Sequence, residues 1–182
     1  MTEEEIIKGC IHNDQRCQLA LFKQYAGRMM GICLRYASTG AEAEDMLQDT
    51  FIKLFSSIHQ FRFEGSFEGW VRKITVRICL ASLQKKHVHY GDVSTADFTA
   101  DQSALHAIAL MSEKELAEMI RRLPQGYRIV FNLYVIEGYN HDEIAAMLNI
   151  ESVTSRSQLM KARKLLQKQI LSQQKIIIRN HG

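Results

Sequence analysis

The sequence predicts an all-α protein made of two small helical domains joined by a flexible linker. Its 182 residues include ten Gly and one Pro, far fewer than a turn-rich sandwich or barrel uses. Apolar residues recur at helical spacing over most of the chain. The period is lost from His87 to about Ala100, where small and polar residues dominate. A chain of this length forms one domain or two small ones, and the interruption favours two.

The first domain, residues 1–86, is predicted to hold four helices. Each has an apolar stripe at helical spacing, and a short aromatic segment, residues 58–65, separates the third from the fourth. The expected boundaries are a capping box of Thr2 and Glu5 for the first helix, about Asp14 to Ala37 for the second, a start near Ala41 for the third, and an N-cap at Ser66 with an end near Lys86 for the fourth.

The second domain, residues 113–182, follows a linker over residues 87–112, and its helical pattern begins near Ser103. Pro124 suits the first turn of a helix that runs to Glu137. The remaining predicted elements are Gly138 as a C-cap, a short helix capped by Asn140 and Glu143, a turn over Asn149 to Ser152, and a long basic helix from Val153. A short helix, a tight turn and a long helix make a helix-turn-helix.

Charge is distributed unevenly along the chain. The net charge is only +3, yet residues 69–91 carry five Lys or Arg and no acid, and residues 152–182 carry seven and no acid. Two separate basic segments suggest two contacts with a polyanion. The competing interpretation, a solvated charged face, is the usual fate of a charge run. The helix-turn-helix pattern in front of the second segment favours the polyanion.

The last helix is the expected DNA reader. With Leu159 taken as zero, Leu166 and Ile170 fall close to it on the helical wheel, and lysines fall opposite. Hydroxyl, amide and guanidinium groups in the first turns can pair with base edges, and later lysines suit phosphates. The predicted contact residues are Thr154, Ser155, Arg156, Ser157, Gln158, Lys161 and Lys164.

Several function classes find little support. The sequence has no GxSxG, HExxH or phosphate-cradling glycine loop, so an enzyme is not expected, and neither a cofactor nor a metal is predicted. Cys10, His12 and Cys17 are the nearest approach to a metal cluster, but Cys10 continues an apolar helical stripe and is expected in the core. No apolar run is long enough for a bilayer and the N-terminus lacks a basic start, which predicts a cytosolic chain.

An ordered series of motifs carries a family resemblance. The motifs are AEAEDMLQDTFIKLF (41–55), GSFEGW (65–70), RKI (72–74), LP (123–124), YR (127–128), VF (130–131), EGY (137–139), EIA (143–145), TSRSQL (154–159) and KAR (161–163). Together they resemble bacterial RNA polymerase sigma factors of the sigma-70 type, specifically the extracytoplasmic-function (ECF) group. The resemblance spans nearly the whole chain. It implies a first domain like sigma region 2 and a second like sigma region 4, which binds the promoter minus-35 element.

The resemblance also implies two sets of contacts for the first domain. An acidic helix would dock on the clamp of the largest polymerase subunit through Glu44, Asp45, Gln48 and Asp49, although these acids also suit the positive end of a helix dipole. The minus-10 element would be recognised and melted by Phe61, Arg62, Phe63, Trp70, Lys73 and Arg77. Trp70 also fits the apolar stripe of its helix, so Phe61, Arg62 and Phe63 are the stronger candidates for a pocket wall.

Expected partners are core RNA polymerase, through its clamp and flap, promoter DNA, and an anti-sigma factor, which in this group can be membrane-anchored. Three linker acids, Asp92, Asp97 and Asp101, fit either a sigma linker near the RNA exit path or a solvated tether. Arg77 and Val153 depart from the family, where Asn and Gly are common. The alternative function is a helix-turn-helix regulator that binds its operator alone, but no strand pattern of a receiver domain precedes Lys86.

Overall fold

The computed structural model describes residues 1–85 and 112–180, and the regular elements within those ranges are all helical. The predicted all-α class is therefore confirmed. The chain divides into two compact units, Met1–His87 and Val88–Gly182. The predicted linker acids, Asp92, Asp97 and Asp101, and the expected start of the second helical pattern near Ser103 lie outside the described residues.

The first unit contains the four predicted helices. Thr2 and Glu5 form the expected capping box, and the Ser66 hydroxyl accepts a hydrogen bond from the Gly69 amide at 3.2 Å. A single 3₁₀ turn lies where the sequence predicted only a loop, because the chain tightens directly after the third helix. The elements are α1 (Glu3–Ile11), α2 (Gln15–Tyr36), α3 (Gly40–Ser57), the 3₁₀ turn (Ile58–Gln60) and α4 (Phe67–Gln84).

Helix α2 is the centre of this unit, packed against α1, α3 and α4. The Tyr25 hydroxyl donates a hydrogen bond to the Glu3 carboxylate, which ties α1 to α2. Across the α2 and α4 contact, the sulfur atoms of Cys33 and Cys79 lie 4.0 Å apart. All four cysteines are buried, and burial raises the pKa of the Cys10 thiol to about 11. Cys10 therefore belongs to the core, as predicted.

The second unit contains a small core between the helix Glu113–Arg121, with the residues just after it, and the helix Ser152–Asn180. Met119, Ile120 and Leu123 pack against Ala162, Leu166 and Ile170. The apolar stripe predicted for the last helix is therefore confirmed. The elements are α5 (Glu113–Arg121), α6 (Gln125–Phe131), a π-helical segment (Asn132–Ile136), α7 (His141–Leu148) and α8 (Ser152–Asn180).

Two features of the second unit differ from the sequence prediction. The helix after Pro124 does not stay α-helical to Glu137 but changes to π geometry at Asn132. Helix α5, with a capping box of Ser112 and Glu115, was not predicted as a separate element. The predicted helix-turn-helix is present, because Asn140 caps α7 and Asn149 ends it in the left-handed conformation at φ 54°.

Candidate nucleic-acid interface

A cavity of about 430 Å³ lies beside the start of α4 in the first unit. This volume is within the roughly 300 to 1,000 Å³ of small-molecule sites, and it can hold an unstacked base. The cavity falls within the segment predicted to contact the minus-10 element. Its lining residues are Gln60, Phe61, Arg62, Glu64, Gly65, Ser66, Gly69, Trp70 and Lys73.

Aromatic packing builds one wall of this cavity. The Phe61 ring lies 5.0 Å from Phe67 and 5.5 Å from Trp70, measured between ring centroids. It also lies 5.2 Å from Phe63. Phe61 is buried, whereas Phe63 is 44% exposed and Trp70 is half-buried. Phe61 therefore anchors the loop to α4, and Phe63 and Trp70 are the aromatic rings with accessible surface.

The loop that carries these rings has an unusual backbone. Phe63 has φ 58° and Gly65 has φ 88°, so two residues of one short loop occupy left-handed conformations. Such a conformation is uncommon for an aromatic residue and persists only where surrounding contacts hold it. One contact comes from α1, where the Lys8 ammonium lies 5.9 Å from the Phe63 ring centroid. No sequence pattern connects Lys8 with this loop, because 55 positions separate Lys8 from Phe63.

Basic side chains extend from the cavity along α4. Arg62 and Lys73 line it and are exposed, and Arg77 is exposed one helical turn beyond Lys73. These three cations and the aromatic wall fit a single strand that enters the cavity with one base and lays its phosphates along α4. Trp70 was predicted to lie either in the minus-10 site or on the apolar stripe of its helix. It does both, since it lines the cavity and contacts Phe61 and Phe67.

The structure divides the residues predicted on the recognition helix into two groups. Arg156 and Lys164 are exposed, and Thr154 and Lys161 are half-buried. Ser155 and Gln158 are fully buried, and Ser157 is 7% exposed. The physical reason for the first two is helical period: Ser155 and Gln158 fall on the same face as Ala162, which packs in the core. In this structure they do not lie on the exposed face with Arg156.

The start of the recognition helix is held by contacts from α7. His141 Nδ1 lies 2.9 Å from the Ser155 hydroxyl, and the Ser152 hydroxyl donates to the Asp142 carboxylate. The His141 ring also stacks on Tyr134 of the π segment, with centroids 4.5 Å apart at 21°. The sequence analysis missed both His141 and Tyr134. His141 directly follows the N-cap Asn140, and this position was the available signal for it. The stacking on Tyr134 has no such signal, because it depends on the π segment.

The acidic side chains of α3 form an exposed row. Glu44, Asp45, Gln48 and Asp49 are all exposed, as predicted for a docking surface. Within the described residues, none of them is paired with a cation. One turn further along, Ile52 is 60% exposed. A row of acids next to an exposed apolar side chain is suited to a protein partner and repels DNA.

Known family models match both units of the chain. The family model for Sigma-70 region 2 matches residues 21–88, and the model for Sigma-70, region 4 matches residues 113–166. The two matches fall in separate units, one with the aromatic cavity and one with the helix-turn-helix. The chain belongs to the sigma-70 family of sigma factors, in its ECF group. This sigma factor directs transcription initiation.

Relatives agree with the assignment over most of the chain. The ECF RNA polymerase sigma-E factor of Escherichia coli is 25% identical, with 93% of this chain and 95% of that protein covered. The RNA polymerase sigma-H factor of Pseudomonas aeruginosa is 23% identical, with coverages of 91% and 92%. The ECF RNA polymerase sigma factor SigE of Mycolicibacterium smegmatis is 29% identical over 80% of this chain, which spans only 58% of that relative.

Solved structures share the fold. The sigma factor RpoE of Bartonella quintana, in complex with the anti-sigma factor NepR, superposes with a TM-score of 0.51 at 16% identity, covering 84% of this chain and 95% of that one. CnrH, in complex with the cytosolic domain of CnrY, gives 0.50 at 18% identity, covering 93% and 97%. A regulator that works without polymerase is not favoured, because the region 2 match accounts for the first unit.

No helix in the described ranges combines the length and apolar character needed to cross a bilayer.

Proposed function

We propose that this sigma factor directs core RNA polymerase to its promoters through DNA-binding and polymerase-binding surfaces on two domains. Residues 1–86 would bind polymerase and the minus-10 element, residues 113–182 would bind the minus-35 element, and residues 87–112 would link them. The observation that carries the proposal is the aromatic cavity of about 430 Å³ beside exposed cations, within the part of the chain that matches region 2.

At the minus-10 element, the cavity receives a base that has left the duplex stack. Stacking on an aromatic ring contributes about 1 to 3 kcal/mol per base, which offsets the cost of unstacking. Trp70 supplies the accessible ring that lines the cavity, Phe63 is exposed next to it, and Phe61 supports both from the buried side. Arg62, Lys73 and Arg77 bind the phosphates of the melted strand. The aromatic rings thus favour melting of the duplex, and the cations bind the melted strand.

At the minus-35 element, the exposed part of α8 enters the major groove. Arg156 contacts a base edge from the first turns, and the half-buried Thr154 is the other candidate there. Lys161 and Lys164 follow on later turns and bind phosphates. Ser155 acts from the buried face, where it positions the helix through its bond to His141, and the buried Gln158 does not touch DNA.

On the polymerase, the acidic row of α3 binds the largest-subunit clamp, and the second domain binds the flap. Unpaired carboxylates favour a basic partner and keep the DNA backbone away from this face. The relatives solved with NepR and CnrY support a further partner, an anti-sigma factor that covers these surfaces until it is released. The chain works in the cytoplasm and carries no catalysis of its own, since the polymerase makes the RNA.

Transcription with purified components tests this function. Core polymerase would be incubated with genomic fragments in the presence and absence of the protein, and the RNA 5′ ends would be mapped. We expect start sites that depend on the protein and share two sequence elements. Output that is the same on every template, or that does not need the protein, would contradict the proposal.

Charge reversal tests the polymerase surface separately. Replacing both Asp45 and Asp49 by Lys should weaken binding to core polymerase at least tenfold, because repulsion replaces attraction. Fluorescence anisotropy of the labelled protein against core polymerase measures the affinity. The matched control is Glu4→Lys, which alters an exposed acid on α1. If the double variant and the control bind core polymerase with equal affinity, the proposed contact through α3 is wrong.

A further inference from the structure

Tyr134, His141, Arg156 and Arg163 lie close together where α7 and the π segment face α8, and only Arg156 is among the predicted DNA contacts. The His141 ring stacks on Tyr134, and the Arg163 guanidinium lies 5.9 Å from the centroid of the same Tyr134 ring. Arg156 is close enough to His141 for their charges to interact, as is Arg163. Three elements, the π segment, α7 and α8, therefore bring two exposed guanidinium groups and an imidazole to one place.

Contacts fix the orientation of the imidazole. Nδ1 of His141 bonds to the Ser155 hydroxyl, and Ser155 is fully buried, so this partner is held in place by the core. A serine hydroxyl can donate to a neutral ring nitrogen or accept from a protonated one, so the bond suits both forms of the ring. Nε2 has no hydrogen-bond partner among residues 1–85 and 112–172, which leaves it available to a ligand.

We propose that His141 and Arg163 form a backbone-phosphate site around Tyr134, next to the base contact of Arg156, and that His141 binds the phosphate as a cation, so that affinity for DNA rises as the pH falls. This inference rests on the proposed function, and it adds that binding to DNA takes up a proton. His141 would act at the ligand through Nε2 and would position the recognition helix through Ser155.

The electrostatics of the free protein set the direction of the effect. Burial lowers the pKa of His141, and repulsion from Arg156 and Arg163 lowers it further. Asp142, on the same helix, acts in the opposite direction. Tyr134 faces the ring from the π segment. The free protein therefore holds His141 mainly in its neutral form near pH 7, with two cations facing it.

A phosphate reverses this balance. It is attracted by the two arginines, and its charge favours the protonated imidazole, so the pKa of His141 is higher in the complex than in the free protein. Binding therefore takes up a proton between the lower, free pKa and the higher, bound one. Within that window the affinity increases as the pH falls. Above both values and below both values, the affinity no longer changes with pH through His141.

The test uses the full chain and a fluorescein-labelled duplex of 40 base pairs of mixed sequence, at low fixed salt. Anisotropy at pH 8 and pH 6 gives the ratio of affinities. Uptake of one proton changes the affinity by at most about tenfold per pH unit, and we expect a ratio of about five to ten for the native protein. H141Q should lose most of this ratio, whereas H12Q, an exposed histidine of the first unit, should keep it.

A second readout separates a phosphate contact from a structural role. At pH 6, the slope of log affinity against log salt should fall by about 0.9 in H141Q, the value for one lost phosphate contact. An NMR titration of His141 in the native chain, with and without duplex, should give a higher pKa in the complex. An unchanged pKa, or the native ratio in H141Q, would overturn the inference even if promoter-specific transcription stands. Failure to bind duplex at either pH would overturn both this site and the minus-35 role.

Discussion

The two candidate DNA surfaces of this sigma factor are built in different ways. The surface of the first unit is concave, and its wall consists of rings that also belong to the core, with Phe61 touching three other aromatic residues. The surface of the second unit is the exposed side of one helix, from which Arg156 and Lys164 project. Recognition and stability are therefore coupled in the first unit and separable in the second. Substitutions can test this difference.

The largest effect is expected from Phe61→Ala in the first unit. The variant removes a buried ring that packs on α4 and on Phe63, so the free energy of unfolding should fall by about 3 to 5 kcal/mol. Promoter melting should be lost with it, since the same ring supports the cavity. Urea denaturation followed by the fluorescence of Trp70, the single tryptophan, measures the change.

Phe63→Ala is the matched control for this prediction. The Phe63 ring is 44% exposed, so the free energy of unfolding should change by about 1 kcal/mol or less. Melting of the minus-10 element, followed by permanganate footprinting, should still be impaired if Phe63 stacks on a base. Equal stability losses in the two variants would mean that the rings do not divide into an anchor and a contact.

In the second unit, Arg156→Ala should change specificity without changing stability. Loss of a base contact should reduce the preference at one upstream position by about 1 to 3 kcal/mol. Lys164→Ala should instead weaken binding to all sequences alike, because a phosphate is the same at every step. Holoenzyme binding to a panel of single-base promoter variants measures both. A uniform loss for Arg156→Ala would exclude a base contact.

Gln158 provides a sharper test, because its predicted role and its position disagree. Its amide nitrogen and oxygen are both buried without a hydrogen-bond partner in the described chain. Gln158→Met should therefore raise the free energy of unfolding by about 1 to 3 kcal/mol and leave DNA affinity within about twofold. Gln167→Met, at a half-buried position of the same helix, is the control and should change stability by about 0.5 kcal/mol or less. Weaker promoter binding by Gln158→Met would instead support the predicted contact between Gln158 and a base.

Local signals explain which parts of the fold were predictable. The capping boxes of Thr2 with Glu5 and of Asn140 with Glu143 need only a three-residue spacing, and both are present. The π segment after Phe131 has no such local signature, because it depends on how α6 meets the rest of its unit. Of the residues predicted for the minus-10 contact, Phe61, Arg62, Trp70 and Lys73 line the cavity, whereas Phe63 and Arg77 do not. The left-handed backbone at Phe63 has no local sequence signal.

The recognition helix shows that consecutive residues of a helix cannot all lie on one face. Residues 154–158 were assigned to DNA as one run, yet five consecutive helical residues span about 400°, more than a full turn. Ser155 lies about 20° from Ala162 on the helical wheel, so the same arithmetic that placed the lysines outside places Ser155 inside. His141 could not be found in this way, because its contacts join residues 134, 141 and 155 through tertiary packing.

The smallest expected effect concerns the ion pair that joins α2 to α4 near the cavity. Arg28 Nη1 lies 2.6 Å from Glu68 Oε2, but both side chains are about half exposed, at 58% and 46%. Because water screens such a pair, a double-mutant cycle of Arg28→Ala and Glu68→Ala should give a coupling of about 0 to 1 kcal/mol that declines with salt. The rings would then account for the rigidity of this surface. A salt-insensitive coupling above about 2 kcal/mol would show instead that charge holds the cavity together, and the contrast between the two surfaces would be weaker than their packing indicates.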